Sequence, residues 1–584
     1  MNTQRSVIIF ALIILVALCI VGAGLALRFL SRPSSQVQVP GAATSTAAPP
    51  QNAVVVEFHS SNTKQDWVDA AIKQFNVENH KVAAGRVIVV KATHVGSGSS
   101  MTSILEGKAK PTAWSPGSST WVAQINQAWT DRTGKKLITA DCPPTTREPI
   151  AIAMWEPMAR ALGWPDKPIS WRDLAALSAD PQGWATRGHP EWGDLKFGHG
   201  HPDQSNSGLL SMIVQVYASA GVTRGLTADQ VKSQSVISNV AATEQRVYHY
   251  GRLDTDLLAK MTQRGPDYLH AVTTYEVNVI KWNLEHAKEL QFPLVTIYPA
   301  DGTFWVENPY CLLDAEWVTP EQREAADVFG KYLVSPDQQA RAIDFGLRPA
   351  NRSVALKAPI DLAHGAVPSM STDNVPDLEY PSEAVVGHIL DVFHQVKKKA
   401  TVIVALDISG SMKGEKIKSA IEGAVAFLDQ MEPDEHVIVY TFSNNINELQ
   451  PQGPVGEVRE KLRQTLQGLY AGGGTALHQV MIQTLDKAVA EQKADLAAGK
   501  NRLYAIVLLS DGNNEVSGGP TENDLLARLP SGDQPGSVKI YTIAYGDDAN
   551  KNLLSTLANR TNGKMFTSDP SNIVNVYFLI SSEF

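Results

Sequence analysis

The sequence predicts an α/β protein with an N-terminal transmembrane helix, an upstream α/β domain and then a doubly wound, Rossmann-like domain. Three observations predict this. The chain has 584 residues, too many for a single hydrophobic core. Short apolar runs alternate with helical patterns along most of it, the mark of α/β layering with a largely parallel sheet. Residues 7–27 carry no charge at all.

That uncharged run, Val7 to Leu27, would span about 31 Å as a helix, enough for a bilayer core. A cleaved signal has a shorter apolar region of about 7–15 residues, so 1–31 is expected to be an uncleaved signal anchor. Gly24-Leu25-Ala26 also reads as a cleavage site, while Leu18 is too large to precede a lipoprotein cysteine at Cys19. Arg5 with the amino terminus on one side, and Arg28 with Arg32 on the other, leave the positive-inside rule undecided. Residues 32–52, RPSSQVQVPGAATSTAAPPQN, read as a flexible spacer leading away from the membrane. The expected location is a single-pass cell-membrane protein with both domains extracytoplasmic. Cys142 and Cys311 remain outside the membrane run and neither demand nor exclude a disulfide. The net charge of -9 argues against a nucleic-acid partner, because no basic excess exists to displace phosphate counterions.

The upstream α/β domain is expected at 53–350. AVVVEF leads into DWVDAAIKQFN, RVIVVKATHV into MTSILEGK, LKFGHGHP into GLLSMIVQVYASAG, and FPLVTIYP precedes QREAADVFGKYLV. Residues 351–399 form a connector: a Pro-dotted meander to Pro381, then a helix from about Ser382 to Lys397. The last domain, 400–584, alternates more sharply. TVIVALDIS, HVIVYTFS, LYAIVLLSDG and VKIYTIAYG are buried strands, and KIKSAIEGAVAFLDQM, TALHQVMIQTLDKAVAEQ and NLLSTLANRTNG are helices. Strands so continuously apolar are covered on both faces, and such sheets bind ligands at the C-terminal strand ends.

Those ends carry oxygen ligands. Asp407, Ser409 and Ser411 alternate as the chain leaves the first strand, so one carboxylate and two hydroxyls point the same way. Thr475 follows three glycines and Asp511 ends another strand. Oxygen-only ligands with two carboxylates suit Mg²⁺ or Mn²⁺, with one coordination position left for an acidic group from outside. A lone D-x-S-x-S string is an ordinary turn; the separate Thr475 and Asp511 at strand-to-helix junctions make the set specific. Lys413 and Lys416 are expected to be solvated helix charges.

In this set the region 400–570 resembles the von Willebrand factor type A family, whose metal-ion-dependent adhesion site reads D-x-S-x-S, then Thr, then Asp. The resemblance implies that Ser409, Ser411 and Thr475 touch the metal while Asp407 and Asp511 act through water or hydrogen bonds. It implies ligand binding rather than catalysis.

The upstream block resembles a type 2 periplasmic solute-binding protein in WEPMARALGWPDKPISWRDL, TTYEVNVI and AADVFGKYLVSPDQQARAIDFGLRPAN. That family has two α/β lobes closing over a solute, so the resemblance implies a bilobed domain at 53–350. Four segments place hydroxyls at expected helix starts: Ser60-Ser61, Ser97 to Ser100 with Ser99, Ser115 with Ser118 and Ser119, and Ser205-Asn206-Ser207. Converging helix N-termini hold an oxyanion or polyol without charged side chains, although each such residue is also an everyday N-cap. Tyr275-Glu276 reads either as a contact from the second lobe or as structural. His199, His201 and Asp203, bunched without a distant fourth ligand, read as a polar loop. Trp114, Trp305 and Tyr310 fit a core as well as a ligand stack.

No G-x-S-x-G, phosphate loop or H-E-x-x-H occurs, so the chain is expected to bind rather than catalyse. The expected partners are a protein carboxylate at the metal, a small polar solute or oxyanion, and the membrane. A transporter receptor with the A domain as docking platform, or a surface assembly factor with an empty solute domain, are the alternatives.

Overall fold

Alternation of inward and outward residues builds the first strand: in Val54–Ser60, Val54, Val56 and Phe58 are buried while Glu57 faces out. This is a computed structural model, and it describes residues 52–584 apart from 204, 252, 531–536, 582 and 584. The expected membrane segment at 7–27 and nearly all of the spacer at 32–52 lie outside the described residues. Among those described, no helix is long and apolar enough to cross a membrane.

Val54–Ser60 pairs in parallel with Ile88–His94 on one side and Ala113–Ser115 on the other, and Cys311–Leu312 adds antiparallel beyond. The helix Gln65–Glu78 covers this sheet with Trp67, Val68, Ala71, Ile72 and Phe75, one face at helical spacing.

The second sheet is mixed, where the sequence suggested a largely parallel one. The 12-residue strand Pro144–Trp155 pairs antiparallel with Ala271–Tyr275, Leu294–Ile297, Trp305–Pro309 and Arg348–Pro349. Phe197–Gly200 runs parallel to Val247–Gly251 and Ala271–Tyr275. The difference arises because Pro144–Trp155 and Trp305–Pro309 carry the chain out of the first lobe and back, and such a pair must run in opposite directions. The Cys142–Cys311 disulfide, left open by the sequence, is formed. It joins these crossing segments beside the Pro144–Pro309 pair.

The connector is bound to the solute-binding-like body rather than free. Leu378 N–H donates to Thr303 O at 2.9 Å, Glu379 N–H to Thr223 O at 3.1 Å, and Tyr380 stacks on Phe304 with centroids 4.5 Å apart. The helix Glu383–Val396 then leads into the strand Ala400–Asp407.

The last sheet runs Ile446–Glu448, His436–Phe442, Ala400–Asp407, Leu503–Ser510, Lys539–Tyr545, Met565–Ser568. All neighbours after the antiparallel first edge are parallel. Val402, Val404 and Leu406 pack on one face against the helices Glu415–Gln430 and Ile573–Ser581. Ile403 and Ala405 pack on the other against Leu477–Ala497 and Lys551–Arg560. Central strands buried on both faces leave the C-terminal strand ends as the open crevice.

Candidate functional site

The central strand of that sheet ends at Asp407, which is fully buried. Its Oδ1 accepts from Ser409 N–H at 2.9 Å and its Oδ2 from Ser510 Oγ at 2.7 Å. Burial pushes the carboxyl up to about 6; the hydrogen bonds oppose this and the nearby Asp511 charge adds to it. Ser409 Oγ and Ser411 Oγ lie 3.0 Å apart, and Ser411 Oγ donates to Asp511 Oδ1 at 2.6 Å. The alternating trio therefore shares one side, and a carboxylate from a distant strand end meets it there.

Thr475 arrives on the glycine loop. Gly410 N–H donates to Gly473 O and Gly472 N–H to Ile408 O, both at 2.8 Å. A Cβ on Gly410 would stand 3.2 Å from the Gly473 carbonyl oxygen, and Gly473 has φ 90°, so glycine at both positions lets the two loops close. Thr475 is buried, and its Oγ1 lies 3.9 Å from where a Cβ on Gly512 would be, next to Asp511. The structure thus brings together all five residues singled out in the sequence: Asp407, Ser409, Ser411, Thr475 and Asp511.

Lys416 departs from its expected role as a solvated charge. Its Nζ lies 2.6 Å from Asp511 Oδ2. The helix Glu415–Gln430 starts directly above the site, so its second residue reaches the buried carboxylate. Ser510, also not singled out, buttresses Asp407. The donor set, two carboxylates and three hydroxyls, is oxygen-only and fits a hard divalent cation. No group of three or more His, Cys, Asp or Glu suited to a metal occurs among the described residues, so the mixed carboxylate–hydroxyl set is the candidate.

Upstream, three of the four hydroxyl segments meet in the first lobe. Ser61 N–H donates to Ser115 O at 3.0 Å, and Gly117 N–H to Ser97 Oγ at 2.9 Å. Ser60 Oγ turns onto Ser61 O, while Ser99 is exposed. The fourth segment sits in the second lobe, where Ser205 Oγ caps its helix through Gly208 N–H and lies 2.7 Å from Ser207 Oγ. Asn206 Nδ2 donates to Tyr275 OH at 2.7 Å, tying that segment to Tyr275. Glu276 is structural: Arg348 pairs with it in the buried interior, Nε to Oε2 at 2.6 Å. His199 is buried, with its Nε2 3.1 Å from Glu244 Oε1.

Three buried polar residues that the sequence did not reveal, Lys64, Glu148 and Asn308, lie beneath this region. Lys64 Nζ donates to Ser61 Oγ at 2.5 Å, to Ser115 O at 3.0 Å and to Asn308 Oδ1 at 3.0 Å. Burial lowers its ammonium to about 7, while the charge of Glu148 works the other way. The buried Ser115 hydroxyl has no hydrogen-bond partner among the described residues.

The bacterial extracellular solute-binding protein family matches residues 56–348, and the von Willebrand factor type A domain matches 401–576. The uncharacterized protein Rv1836c of Mycobacterium tuberculosis is 22% identical over 580 residues, covering 96% of this chain and 80% of that protein. Inter-alpha-trypsin inhibitor heavy chain H4 of Homo sapiens is 28% identical over 162 residues, 27% of this chain and 17% of that protein. Among solved structures, the sulfate-binding protein SubI from Mycobacterium tuberculosis aligns at 17% identity and TM-score 0.37, covering 56% of this chain and 96% of that one. A von Willebrand factor type A protein from Catenulispora acidiphila aligns at 19% and 0.27, covering 32% of this chain and 42% of that one. Both matched families are binding modules rather than enzyme families. With half of its length matched by the solute-binding model, the chain belongs to the bacterial extracellular solute-binding protein family and carries a von Willebrand factor type A domain after it.

Proposed function

We propose that this is a membrane-anchored extracytoplasmic binding protein whose A domain captures an acidic group of a protein partner through Mg²⁺ or Mn²⁺. The observation that carries this reading is the hydrogen bond from Ser411 to Asp511, made beside Ser409 and Asp407 across two strand ends. Ser409, Ser411 and Thr475 would hold the ion directly, with Asp407 and Asp511 supplying charge and orientation. The cation supplies a Lewis-acidic position for an outside carboxylate. The chain supplies the rest: Ser510 and the Ser409 amide fix Asp407, and the glycine loop fixes Thr475.

The upstream cleft, in the same proposal, takes a small polar solute of the oxyanion class. The unpartnered Ser115 hydroxyl and the helix starts at Ser97 and Ser118 support an acceptor-rich ligand. The direct test is a pull-down of membrane extract by the soluble chain, with Mg²⁺ and with chelator. Partner capture that chelator abolishes and Mg²⁺ restores supports the reading; capture indifferent to metal refutes it. Calorimetry with sulfate, phosphate and a neutral sugar tests the cleft, where heat from the oxyanions alone is expected.

A further inference from the structure

Between the second lobe and the A domain lies a cavity of about 180 Å³. It sits at the N-terminal ends of the A-domain strands, where Leu503 and Lys539 begin theirs, and so at the opposite end of the sheet from Asp407 and Asp511. Arg246, Lys398, Arg502 and Lys539 line it, together with the rings of Tyr248 and Tyr541. Two carboxylates also line it, and both are engaged: Asp194 pairs with Arg246, and Glu583 with Lys260 and His249, 3.1 and 2.9 Å away.

Among the described residues the two lysines have no such partners. Lys398 Nζ donates to Val247 O at 3.2 Å, and Lys539 Nζ donates to Tyr248 O at 2.8 Å and lies 2.7 Å from His249 Nδ1. Neither has a carboxylate within ion-pairing distance among the described residues. Burying ammonium groups without a countercharge is costly, and an anion entering the cavity offsets that cost. Burial, with Arg246 adding to it, lowers Lys398 to about 8, and burial lowers Lys539 further.

We propose that this cavity is a second anion site, distinct from the solute cleft and the metal centre, which takes a small phosphate-class dianion contacted by both domains. The volume suits it: a cavity of about 150 Å³ is enough for benzene, so inorganic phosphate or a short phosphate ester fits. Two lysines facing one cavity match two negative charges, and the tyrosine rings leave room for a small organic substituent. Because the connector residue Lys398 and the A-domain residue Lys539 both line the cavity, an occupant would also fasten the two domains together.

Calorimetry on the intact chain at pH 8 tests this, with inorganic phosphate and methyl phosphate as probes in two buffers of different ionisation heat. The expected result is saturable binding with net proton uptake, since an anion raises the lowered lysines. Lys398→Met and Lys539→Met should each weaken it about tenfold, the loss of one charge-assisted hydrogen bond. Lys398→Arg keeps a charge that does not titrate, so it should retain binding with less proton uptake; it also covers the case of a Met variant that fails to fold. Ser115→Ala, which removes a donor from the solute cleft, should lower only heat from the cleft and leave the proton-coupled component intact. Absence of proton-coupled phosphate binding, its loss in Ser115→Ala, or its persistence unchanged in Lys398→Met overturns the proposal.

Discussion

Lys416 and Ser411 divide the carboxylate of Asp511 between them: Lys416 Nζ lies 2.6 Å from Oδ2 and Ser411 Oγ donates to Oδ1 at 2.6 Å. The ammonium thus sits on the same acid that a divalent ion would need. Lys416 keeps 28% of its side chain exposed, so the pair is worth only about 1 kcal/mol. A cation arriving at the site must share Asp511 with it. Lys416→Met is expected to tighten Mg²⁺ binding roughly fivefold, read by calorimetry at low ionic strength. Weaker binding in the variant would show instead that the lysine helps to hold the site together.

Asp407 is fixed by two bonds that an amide can largely reproduce. In Asp407→Asn the carbonyl oxygen still accepts from Ser409 N–H, and Ser510 Oγ can rotate to accept from the amide. Stability without metal should therefore change by about 1 kcal/mol or less. The cation loses one of two carboxylate charges, and its affinity should fall about 100-fold, since the remaining charge is shared with Lys416. Thermal melts in chelator and Mg²⁺ titrations of both proteins separate the two effects. A collapse of the fold without metal would make Asp407 primarily structural.

How much of this was legible follows from the range of each signal. Asp407, Ser409 and Ser411 lie within five residues, so their shared direction follows from strand periodicity alone. Thr475 and Asp511 were readable because each closes a strand or glycine loop at the crevice of a doubly wound sheet. Lys416 was not, because helical phase says nothing about an acid 95 residues further on. Nothing local marks Lys64 as buried; only the Asn308 and Glu148 side chains, brought in by the two crossing strands, explain its burial. The stretch 351–381 is only weakly periodic, and its order comes from main-chain bonds to Thr303 and Thr223 that no local pattern encodes. The disulfide joins residues 169 apart and became decidable only once the crossing strands were paired.

Lys64 should be a keystone of the first lobe. It is 1% exposed and satisfies Ser115 O and Asn308 Oδ1 while facing Glu148, which burial raises to about 7. Lys64→Met takes one donor from each of those acceptors, which keep Ser61, and leaves the acid without countercharge, a loss of about 3 kcal/mol in urea denaturation. Adding Glu148→Gln removes the buried acid and should recover roughly half of it. If the double variant is no more stable than the single one, the lysine acts through its hydrogen bonds alone and not through Glu148.

His394 clamps the domains through charge. Its Nε2 lies 3.4 Å from Asp203 of the second lobe and its Nδ1 2.7 Å from Glu432 of the A domain. Those hydrogen bonds, Asp203 first, raise it from 6.5 to about 9. Around it stand His201, 3.6 Å from Asp203, and Lys397 and Lys399, 3.2 and 2.5 Å from Glu432, with Glu435 beyond. A raised base stabilises the fold fully below its unfolded value of about 6.5 and loses that contribution as pH rises through about 9. Glu432 is lowered to about 2 against desolvation, by the hydrogen bond from His394 and the lysine charges, so its share is present above about 4.5 and lost as pH falls through about 2. His201, which burial holds down to about 3, stays neutral in the fold and destabilises it below about 6.5; the wild type and a His394 variant share that slope, so it cancels in their difference. His394→Gln should therefore melt lower than wild type by roughly 2–4 °C at pH 6, with the gap closing by about pH 10. Melts across that range decide it: a gap that does not change with pH would mean the imidazole bridges the domains as a neutral hydrogen-bonding group.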